Sequence, residues 1–523
     1  MQGMMRVSNL VLVAAIVAAP LAAQSSLEVV AQAHKITASA GGFVGPLDAT
    51  SSFGRRVARI GDLDGNGVTD LAVGADEHDG AQGAVWILFL GADGTVQAEQ
   101  RIAPGVGGFK PLTEYTEPRF GVALAPLGDF DGDGVEDLAV GTQFPTKAWL
   151  LMLHADGTVK SWLELSLFDW GFYVGLDMTL DAVGDIDGNG VVDLFASIPM
   201  NLFGFDGVAM LLFLKPDATL QWVNQLGPIA HPRSIGSVGD IDGNGMTDVG
   251  IVGDDRIVVH FLGPLGLVQS THVIAQGQGG FTGGPFAPSS VTSIGDFDRD
   301  GVPDLAVGSE TMGVGGGVWL LFMNADGTVR AHDRIAAGEG GFAGPLAAFD
   351  GFGHAVSSLG DLDGDGTLEL AVGTPGDGPD GLVGDLLHRS PGAVWILSLD
   401  GTWFDEGHAW AGISGTPLLV GTGSLAAGAP GALTLTNARP SAPCALQVAL
   451  ASAPAPFKGG VLVPFPPLLS LAFVTDAVGS VPLPFAWPAG LPSGTAVWFQ
   501  YAIADPAAIQ KVSLSNAVKA VQP

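Results

Sequence analysis

The chain has 523 residues, a formal net charge of −32 at pH 7, 53 acidic against 21 basic side chains, and one cysteine, Cys444. This charge excludes nucleic acid and anionic membranes as the main partners, because both require a basic surface. A single cysteine excludes a disulfide framework and any cysteine-based zinc or iron–sulfur site. Although 47% of the residues are hydrophobic, the apolar runs after residue 23 have the length of strands rather than of membrane-spanning helices.

Residues 1–23 have the features of a secretory signal peptide. Arg6 precedes an apolar stretch over residues 10–19, and small residues follow Pro20 as far as Ala23. A basic start, a short apolar core and a small-residue end are typical of a cleaved signal. The alternative is a buried N-terminal helix. We therefore expect an exported protein, secreted or at the cell surface, that does not insert into the membrane.

A nine-residue pattern recurs six times between residues 62 and 369, and its copies start 55 to 67 residues apart. Each copy has Asp at positions 1 and 3, Asp or Asn at position 5, Gly at position 6, and Asp or Glu at position 9. A repeat at this period indicates units that bury their faces against one another.

The spacing within the pattern predicts a metal loop. Oxygen side chains at positions 1, 3, 5 and 9, with the backbone carbonyl of position 7, can surround one hard cation, and the glycine permits the sharp turn. Calcium fits best, because it accepts six to eight oxygens in flexible geometry. We expect about six Ca²⁺ ions. The predicted ligands are Asp62, Asp64, Asn66, Val68 and Asp70; Asp129, Asp131, Asp133, Val135 and Asp137; Asp185, Asp187, Asn189, Val191 and Asp193; Asp240, Asp242, Asn244, Met246 and Asp248; Asp296, Asp298, Asp300, Val302 and Asp304; and Asp361, Asp363, Asp365, Thr367 and Glu369.

The loops have two other interpretations. An EF-hand begins in the same way but requires a Glu at position 12 and flanking helices. Position 12 is always apolar here, so the EF-hand is rejected; the residues are Val73, Val140, Ala196, Ile251, Val307 and Val372. The second alternative is a set of ordinary hairpin turns that hold no metal, although carboxylates packed so closely repel one another without a cation.

Four strand patterns surround each loop, with no helical periodicity between them. This predicts an all-β fold, a calcium-binding β-propeller over residues 24–410, with a β-solenoid as the alternative. Six blades are favoured and seven are possible. Residues 27–36 resemble the fourth strand of other units and could close the ring, and residues 402–410 compete for that place. Residues 411–523 are rich in Pro and Ala, have short apolar runs, and predict a small C-terminal β-sandwich.

Beyond the loops, the sequence resembles the FG-GAP repeats of the integrin α-chain propeller and of many secreted bacterial proteins. The pairs Phe53-Gly54, Phe120-Gly121 and Phe352-Gly353 stand nine residues before a loop, and Gly-Ala-Val-Trp runs occupy residues 83–86 and 392–395. The third, fourth and fifth units depart from this, with Leu176, His231 and Ala287 at the Phe position, and unit four also lacks the Gly-Ala signal. The resemblance implies calcium in the loops between strands 1 and 2, and ligand binding, where it occurs, on the opposite face.

No motif assigns an activity. The ten histidines are scattered, and no nucleophile elbow or phosphate loop is present. The repeated tryptophans lie within apolar strands, which predicts core packing; they are Trp86, Trp149, Trp319 and Trp395. Loops on the face opposite the calcium carry aromatic residues that form either a recognition surface or loop anchors; they are Tyr115, Trp170, Tyr173 and Phe205.

We therefore expect a secreted, calcium-stabilised propeller that acts as a binding, adhesion or scaffold protein at or outside the cell surface, with an extracellular protein or glycan as its ligand, and that is not an enzyme. The alternative is an extracellular hydrolase or lyase that acts on polysaccharide with the same fold, since a fold does not decide function. A purely structural component of the cell envelope is a third possibility.

Overall fold

The computed structural model describes residues 29–112, 115–143, 146–165, 178–200, 206–228, 232–364, 367–378, 390–399, 401, 403–422, 425, 430–488, 491–492 and 495–522. The predicted signal peptide and most of the loops with Trp170, Tyr173 and Phe205 lie outside these residues. Within them, no helix has both the length and the apolar content that crossing a bilayer requires.

The chain divides after Leu399, where one compact unit, Val30–Leu399, ends and a second begins. The boundary predicted at residue 410 differs from this division. Strand Trp403–Gly407 pairs with Ala517–Val521 of the second unit. The sequence could not show this pairing, because the partner strand is distant and the run itself indicates only a strand.

The first unit contains, among its described residues, six four-stranded antiparallel sheets. The strands are β1 (Val30–Ile36), β2 (Arg56–Arg59), β3 (Leu71–Ala75), β4 (Ala84–Leu90), β5 (Val96–Ile102), β6 (Ala123–Gly128), β7 (Asp137–Thr142), β8 (Lys147–Leu153), β9 (Val159–Leu165), β10 (Thr179–Gly184), β11 (Asp193–Met200), β12 (Asp206–Leu214), β13 (Leu220–Pro228), β14 (Ser234–Gly239), β15 (Asp248–Val252), β16 (Arg256–Gly263), β17 (Leu267–Ala275), β18 (Ser290–Gly295), β19 (Asp304–Ser309), β20 (Gly317–Met323), β21 (Val329–Ala336), β22 (Ala355–Gly360), β23 (Leu368–Thr374) and β24 (Ala393–Leu399).

Sheets 1 to 5 are β2–β5, β6–β9, β10–β13, β14–β17 and β18–β21, and sheet 6 is β22–β24 with β1 as its outer strand. A short helical segment, His78–Ala81, follows β3, and a 3-10 turn, Pro264–Gly266, follows β16. The pairing of β1 with β24 confirms that the N-terminal region supplies an outer strand.

The innermost strands β2, β6, β10, β14, β18 and β22 contact one another in this order, and β22 contacts β2. The sheets therefore surround one axis, and the predicted β-propeller is confirmed. Burial explains why its second and third strands are continuous apolar runs: β3 and β4 are buried along their whole length, whereas β5 has exposed residues in its middle. A strand between two sheets is covered on both faces and cannot alternate with polar residues.

Aromatic side chains join neighbouring sheets. The Phe43 ring, from the connection between β1 and β2, stacks on Phe53 with 5.0 Å between ring centroids and meets Trp86 edge-on, also at 5.0 Å. The same grouping occurs in three further sheets; its members are Phe109, Phe120 and Trp149; Phe281, Phe286 and Trp319; and Phe342, Phe352 and Trp395.

These contacts confirm core packing for the four tryptophans, which are at most 5% exposed. They also explain the apparent loss of Phe in unit five. Ala287 stands at the expected offset, but Phe286, one residue earlier, packs on Phe281 in its place.

Glycine allows the sheets to approach. Phe53 forms a parallel bridge with Gly392 of sheet 6, as Phe120 does with Gly83. A Cβ atom on Gly54 would lie 2.3 Å from the Ala393 carbonyl oxygen, and Gly54 has φ of +93°. Both the close contact and the left-handed backbone exclude other residues here.

The second unit is also all-β. Its strands are β25 (Trp403–Gly407), β26 (Leu418–Thr422), β27 (Pro430–Thr436), β28 (Pro443–Ala449), β29 (Ala455–Phe457), β30 (Gly460–Leu462), β31 (Leu469–Val474), β32 (Val481–Ala486), β33 (Ala496–Ala504), β34 (Val512–Leu514) and β35 (Ala517–Val521), with a 3-10 turn at Ile509–Lys511. One sheet has the order β25-β35-β33-β28-β31, with β34 beside β33, and a second has the order β26-β27-β32. Both sheets contribute to one hydrophobic cluster that includes Leu433 and Tyr501, as in the predicted β-sandwich.

We expect Gly54→Ala to lower the free energy of unfolding by at least about 2 kcal/mol, because it adds a clash with Ala393 to backbone strain of about 1–3 kcal/mol. Gly338→Ala is the control, since Gly338 has φ of +73° but nothing within 4 Å of its Cβ position, so only the strain applies. Chemical denaturation of both variants measures the difference. Equal losses would show that the close contact of Gly54 with Ala393, between sheets 1 and 6, adds nothing to the cost of the substitution.

Candidate metal centres

The predicted metal loops connect the first and second strands of their sheets, so they all lie at one end of the propeller. In the first four loops the acids at positions 1, 3 and 9 each place one oxygen within 4.8 Å of the others; the sets are Asp62, Asp64 and Asp70; Asp129, Asp131 and Asp137; Asp185, Asp187 and Asp193; and Asp240, Asp242 and Asp248. In the fifth loop the three are Asp296, Asp298 and Asp300, at positions 1, 3 and 5.

The acid at position 9 also has a structural role that sequence reasoning missed. Asp70 is fully buried and accepts two backbone N–H bonds, from Leu63 at 2.9 Å and from Leu90 at 3.0 Å. These bonds fasten the start of the loop and the end of β4 to the start of β3. The equivalent pairs of bonds reach Asp137, Asp193, Asp248 and Asp304.

The other positions shape the turn. Asp62 Oδ2 accepts the N–H of Gly67 at 2.8 Å, which closes the loop from position 1 to position 6. Asn66 Oδ1 accepts the N–H of Val68 at 2.7 Å, and its Nδ2 donates to the Leu90 carbonyl at 3.1 Å. Asn189 and Asn244 donate in the same way, so in these loops position 5 is tied to the third strand.

The donor set fits a hard divalent cation. Burial raises the pKa of the Asp70 carboxyl to about 6, and the negative charge of Asp64 raises this pKa further. The two N–H bonds that Asp70 accepts lower the same pKa but do not outweigh burial. In the fifth loop burial raises the pKa of Asp304 to about 8, with contributions from Asp300 and Asp296. In the third loop, Asp187 Oδ2 is buried without a hydrogen-bond partner. A bound cation would offset this charge and give that oxygen a partner.

The sixth loop is described in part. Glu369 is buried and accepts the N–H of Leu362 at 2.7 Å, so it takes the place of the usual Asp at position 9. Asp361 and Asp363 are described, whereas Asp365 lies outside the described residues. Bonds from the position-7 carbonyls to an ion remain predictions; the residues concerned are Val68, Val135, Val191, Met246, Val302 and Thr367.

Two basic side chains enter the loops, and sequence reasoning did not anticipate them. Lys160 Nζ contacts Asp131 Oδ2 at 2.5 Å and also Asp133 Oδ2. Arg330 contacts Asp298, and its Nη2 lies 3.3 Å from Asp300 Oδ2. Both residues follow the first residue of the fourth strand in their sheets. This shared position was the sequence signal that could have revealed them.

Comparison with known proteins agrees with these features. The FG-GAP repeat family profile matches residues 53–88, 120–158 and 352–397, which span parts of sheets 1, 2 and 6. The chain carries FG-GAP repeats of the integrin α type. Over short segments it is similar to integrin alpha-4 of Xenopus laevis (31% identity over 114 residues), integrin alpha-PS5 of Drosophila melanogaster (37% over 99) and integrin alpha-M of Mus musculus (32% over 108).

These alignments cover 22%, 18% and 21% of this chain, and about a tenth of the length of each integrin. Among solved structures, a chain of "Crystal structure of BBS1N in complex with ARL6DN, soaked with mercury" aligns at 13% identity with a TM-score of 0.35, over 72% of this chain and 98% of its own. A TM-score this low carries no weight for the fold. The likeness to integrin α chains therefore concerns the repeats alone.

The axis of the FG-GAP propeller is a second place where function could reside. The inner strands surround a channel of about 460 Å³. Each inner strand contributes at least one aliphatic side chain to its lining, including Val57, Leu124, Leu180, Ile235, Val291 and Val356.

Polar groups gather at the end of the channel away from the metal loops. Arg56 Nη1 donates to His354 Nε2 at 3.2 Å, and His354 Nδ1 lies 2.6 Å from Glu310 Oε2. Since a guanidinium only donates, Nδ1 carries the imidazole proton. Burial lowers the pKa of His354 to about 4 despite Glu310. Both ring nitrogens of this neutral histidine are thus engaged by protein groups.

The aromatic loops on this face are described only in part. Tyr115 is partly buried and packs against the core cluster between sheets 1 and 2, as a loop anchor does. The other three aromatic residues proposed for recognition lie outside the described residues.

The two roles of the loop acids can be separated by mutation. In excess chelator we expect Asp70→Asn to lower the free energy of unfolding by about 1–3 kcal/mol, because the amide NH₂ faces a buried N–H donor. Asp64→Asn should be neutral or slightly stabilising in chelator, since Asp64 is exposed and repels Asp70, and an amide oxygen can still accept the N–H of Asn66 that Asp64 Oδ1 accepts at 3.0 Å. In millimolar Ca²⁺ both variants should gain less stability than the original chain. Denaturation with and without Ca²⁺ measures this, and equal losses in chelator would contradict a structural role for Asp70.

Proposed function

We propose that this chain is a secreted, calcium-stabilised FG-GAP propeller that binds or scaffolds an extracellular protein or glycan, without catalysing a reaction. The observation that carries the proposal is the recurrence of one oxygen-rich loop at the same end of successive sheets. Calcium in these loops would offset much of the negative charge and fix the loops rigidly. The opposite face would then be free to carry a ligand.

The chemical nature of the predicted ligands supports calcium rather than a catalytic metal. Every predicted ligand is a carboxylate, an amide or a backbone carbonyl, which are the groups that Ca²⁺ prefers. The position-9 acid is buried beneath the loop, and its second role is to join strands. Ions held in this way stabilise structure.

Exposed apolar side chains support the opposite face as the ligand surface. Strands alternate in direction, so the connections into the first strand lie at the end away from the metal loops. Val44 and Phe349 belong to such connections and are 79% and 47% exposed. Val314, 59% exposed, lies between β19 and β20 at the same end. Exposed apolar groups mark an interaction site where they form one patch, and we propose that these three residues contribute to such a patch.

We expect the unfolding temperature of the mature chain to be much higher in millimolar Ca²⁺ than in excess chelator. At ten times its Kd each bound ion adds about 1.4 kcal/mol to the free energy of unfolding, so several sites together rival the ~5–15 kcal/mol of a typical domain. Calorimetry measures the shift, with Mg²⁺ as the control ion and elemental analysis giving the bound calcium. A chain with no bound calcium and no shift would overturn the calcium proposal.

The binding role is tested with immobilised surface polysaccharides and extracellular proteins in the presence of Ca²⁺. We expect saturable binding without product formation. Val44→Asp should weaken binding, whereas Leu267→Asp, at a residue 56% exposed on the outer strand β17, should not. Product release from a polysaccharide would replace the binder by the hydrolase or lyase, and equal effects of the two substitutions would remove the assignment of the ligand face.

A further inference from the structure

The metal loops are of two kinds, and the difference extends to a residue on another strand. Position 5 is Asn in loops 1, 3 and 4 but Asp in loops 2 and 5. In sheets 1, 2, 3 and 5 the first residue of the fourth strand pairs with the last residue of the third strand, as Val96 does with Leu90. In sheet 4 the corresponding pair is Val268 with Leu262, one residue further into both strands. The next residue along is Gln97, Lys160, Gln221, Gln269 and Arg330 in sheets 1 to 5.

The two positions vary together. The three loops with Asn at position 5 have Gln on the fourth strand, and the two loops with Asp have a base. An added carboxylate is therefore always matched by an added cation among the five fully described loops. Counting the acids at positions 1, 3, 5 and 9 with this base, each of these loops has the same net charge.

Contacts account for the pairing. In loop 1, Asn66 Nδ2 donates to the Leu90 carbonyl, and Gln97 turns away and donates to Thr95 Oγ1 at 2.9 Å. An Asp at position 5 has no donor for that carbonyl. In loop 2, Lys160 contacts both Asp131 and Asp133 instead.

Loop 5 repeats the arrangement with a guanidinium. Arg330 contacts Asp298, whose side chain is 1% exposed, and reaches Asp300 as well. An uncompensated carboxylate at this depth would be costly. The base thus occupies the fourth-strand position that holds an uncharged Gln in the sheets whose loops have Asn at position 5.

We propose that Lys160 and Arg330 are built-in counter-cations of loops 2 and 5. Each neutralises the additional carboxylate at position 5 and holds its loop in shape when no metal ion is bound. The proposal rests on the proposed function, in which these loops hold Ca²⁺, and it divides them into loops that depend on the ion alone and loops that carry a positive charge of their own.

The sixth loop provides a contrast in sequence. It has Asp365 at position 5, but the equivalent residue of β1 is Ala31. It therefore has an additional acid and no base at this strand position, and we expect it to depend most strongly on the ion.

The test is a double-mutant comparison in loop 2. In excess chelator, Lys160→Gln should lower the unfolding temperature by about 2–4 °C and speed amide exchange in residues 129–137. The double variant Lys160→Gln with Asp133→Asn copies the Asn–Gln pair of loop 1 and should recover most of the loss. Both variants lack the same lysine methylenes, so recovery does not report packing, and Asp133→Asn alone gives the contribution of the new amide hydrogen bond to the third strand. In saturating Ca²⁺ the loss in the single variant should fall to less than half.

Loop 1 supplies the reverse experiment. Asn66→Asp alone should speed amide exchange in residues 62–70 in chelator, and adding Gln97→Lys should slow it again. The proposal is overturned if the single and double variants lose equally, if Lys160→Gln has no effect in chelator, or if Ca²⁺ leaves its loss unchanged. If the original chain melts identically with Ca²⁺ and chelator, the calcium proposal fails by itself, whereas the comparison of single and double variants in chelator still tests the counter-cation.

Discussion

Negative charge concentrated at one end of each sheet is the constraint on which this propeller depends. Each fully described loop brings three or more carboxylates into close proximity, and one of them is buried at the start of the second strand. That acid cannot be removed without loss, because its two oxygens accept N–H bonds from the loop and from the third strand. The fold therefore builds its strand junctions from groups that repel one another, and in the proposed function bound Ca²⁺ offsets this repulsion.

The sheets are held to one another by a different interaction, which is apolar and leaves little free space. Aromatic rings from the connections between sheets stack on neighbouring rings and tryptophans, and glycines let the backbones approach. The bridge between Phe53 and Gly392, together with the pairing of β1 and β24, joins the two ends of the ring. Closure thus joins the first and last of the sheets that carry the acidic loops.

The two ends of the propeller have separate physical properties. At one end the loops are short, acidic and tied by hydrogen bonds to the strands. At the other end the connections carry exposed apolar side chains, and the channel mouth holds Arg56, His354 and Glu310 in one hydrogen-bonded group. With this division, the hydrogen-bonded loops at one end can hold the strands in place, while the connections at the other end are available to contact a ligand. This is the basis on which we propose that binding occurs on the face away from the loops.

The acidic loops and the propeller could be predicted from the sequence because their patterns are local, whereas the binding of metal in the loops stays a prediction. Nine consecutive residues contain the acids and the glycine, and backbone geometry alone brings Asp62, Asp64 and Asp70 together. The apolar second and third strands were equally visible, since burial on both faces leaves a continuous run. Trp86 could be assigned to the core for the same reason.

Other features needed the tertiary structure, because their partners are far apart in the chain. Strand Trp403–Gly407 belongs to the second unit through residues more than a hundred positions later, and Phe286 replaces the expected ring only because packing tolerates a shift of one residue. The contact of Arg56 with His354 spans 298 residues, and no local pattern indicates it. Lys160 enters a loop through strand pairing, which fixes its position beside Asp133. The sequence by itself thus determined the loops and strands, whose geometry is set within a few residues, and the fold decided which distant charges meet.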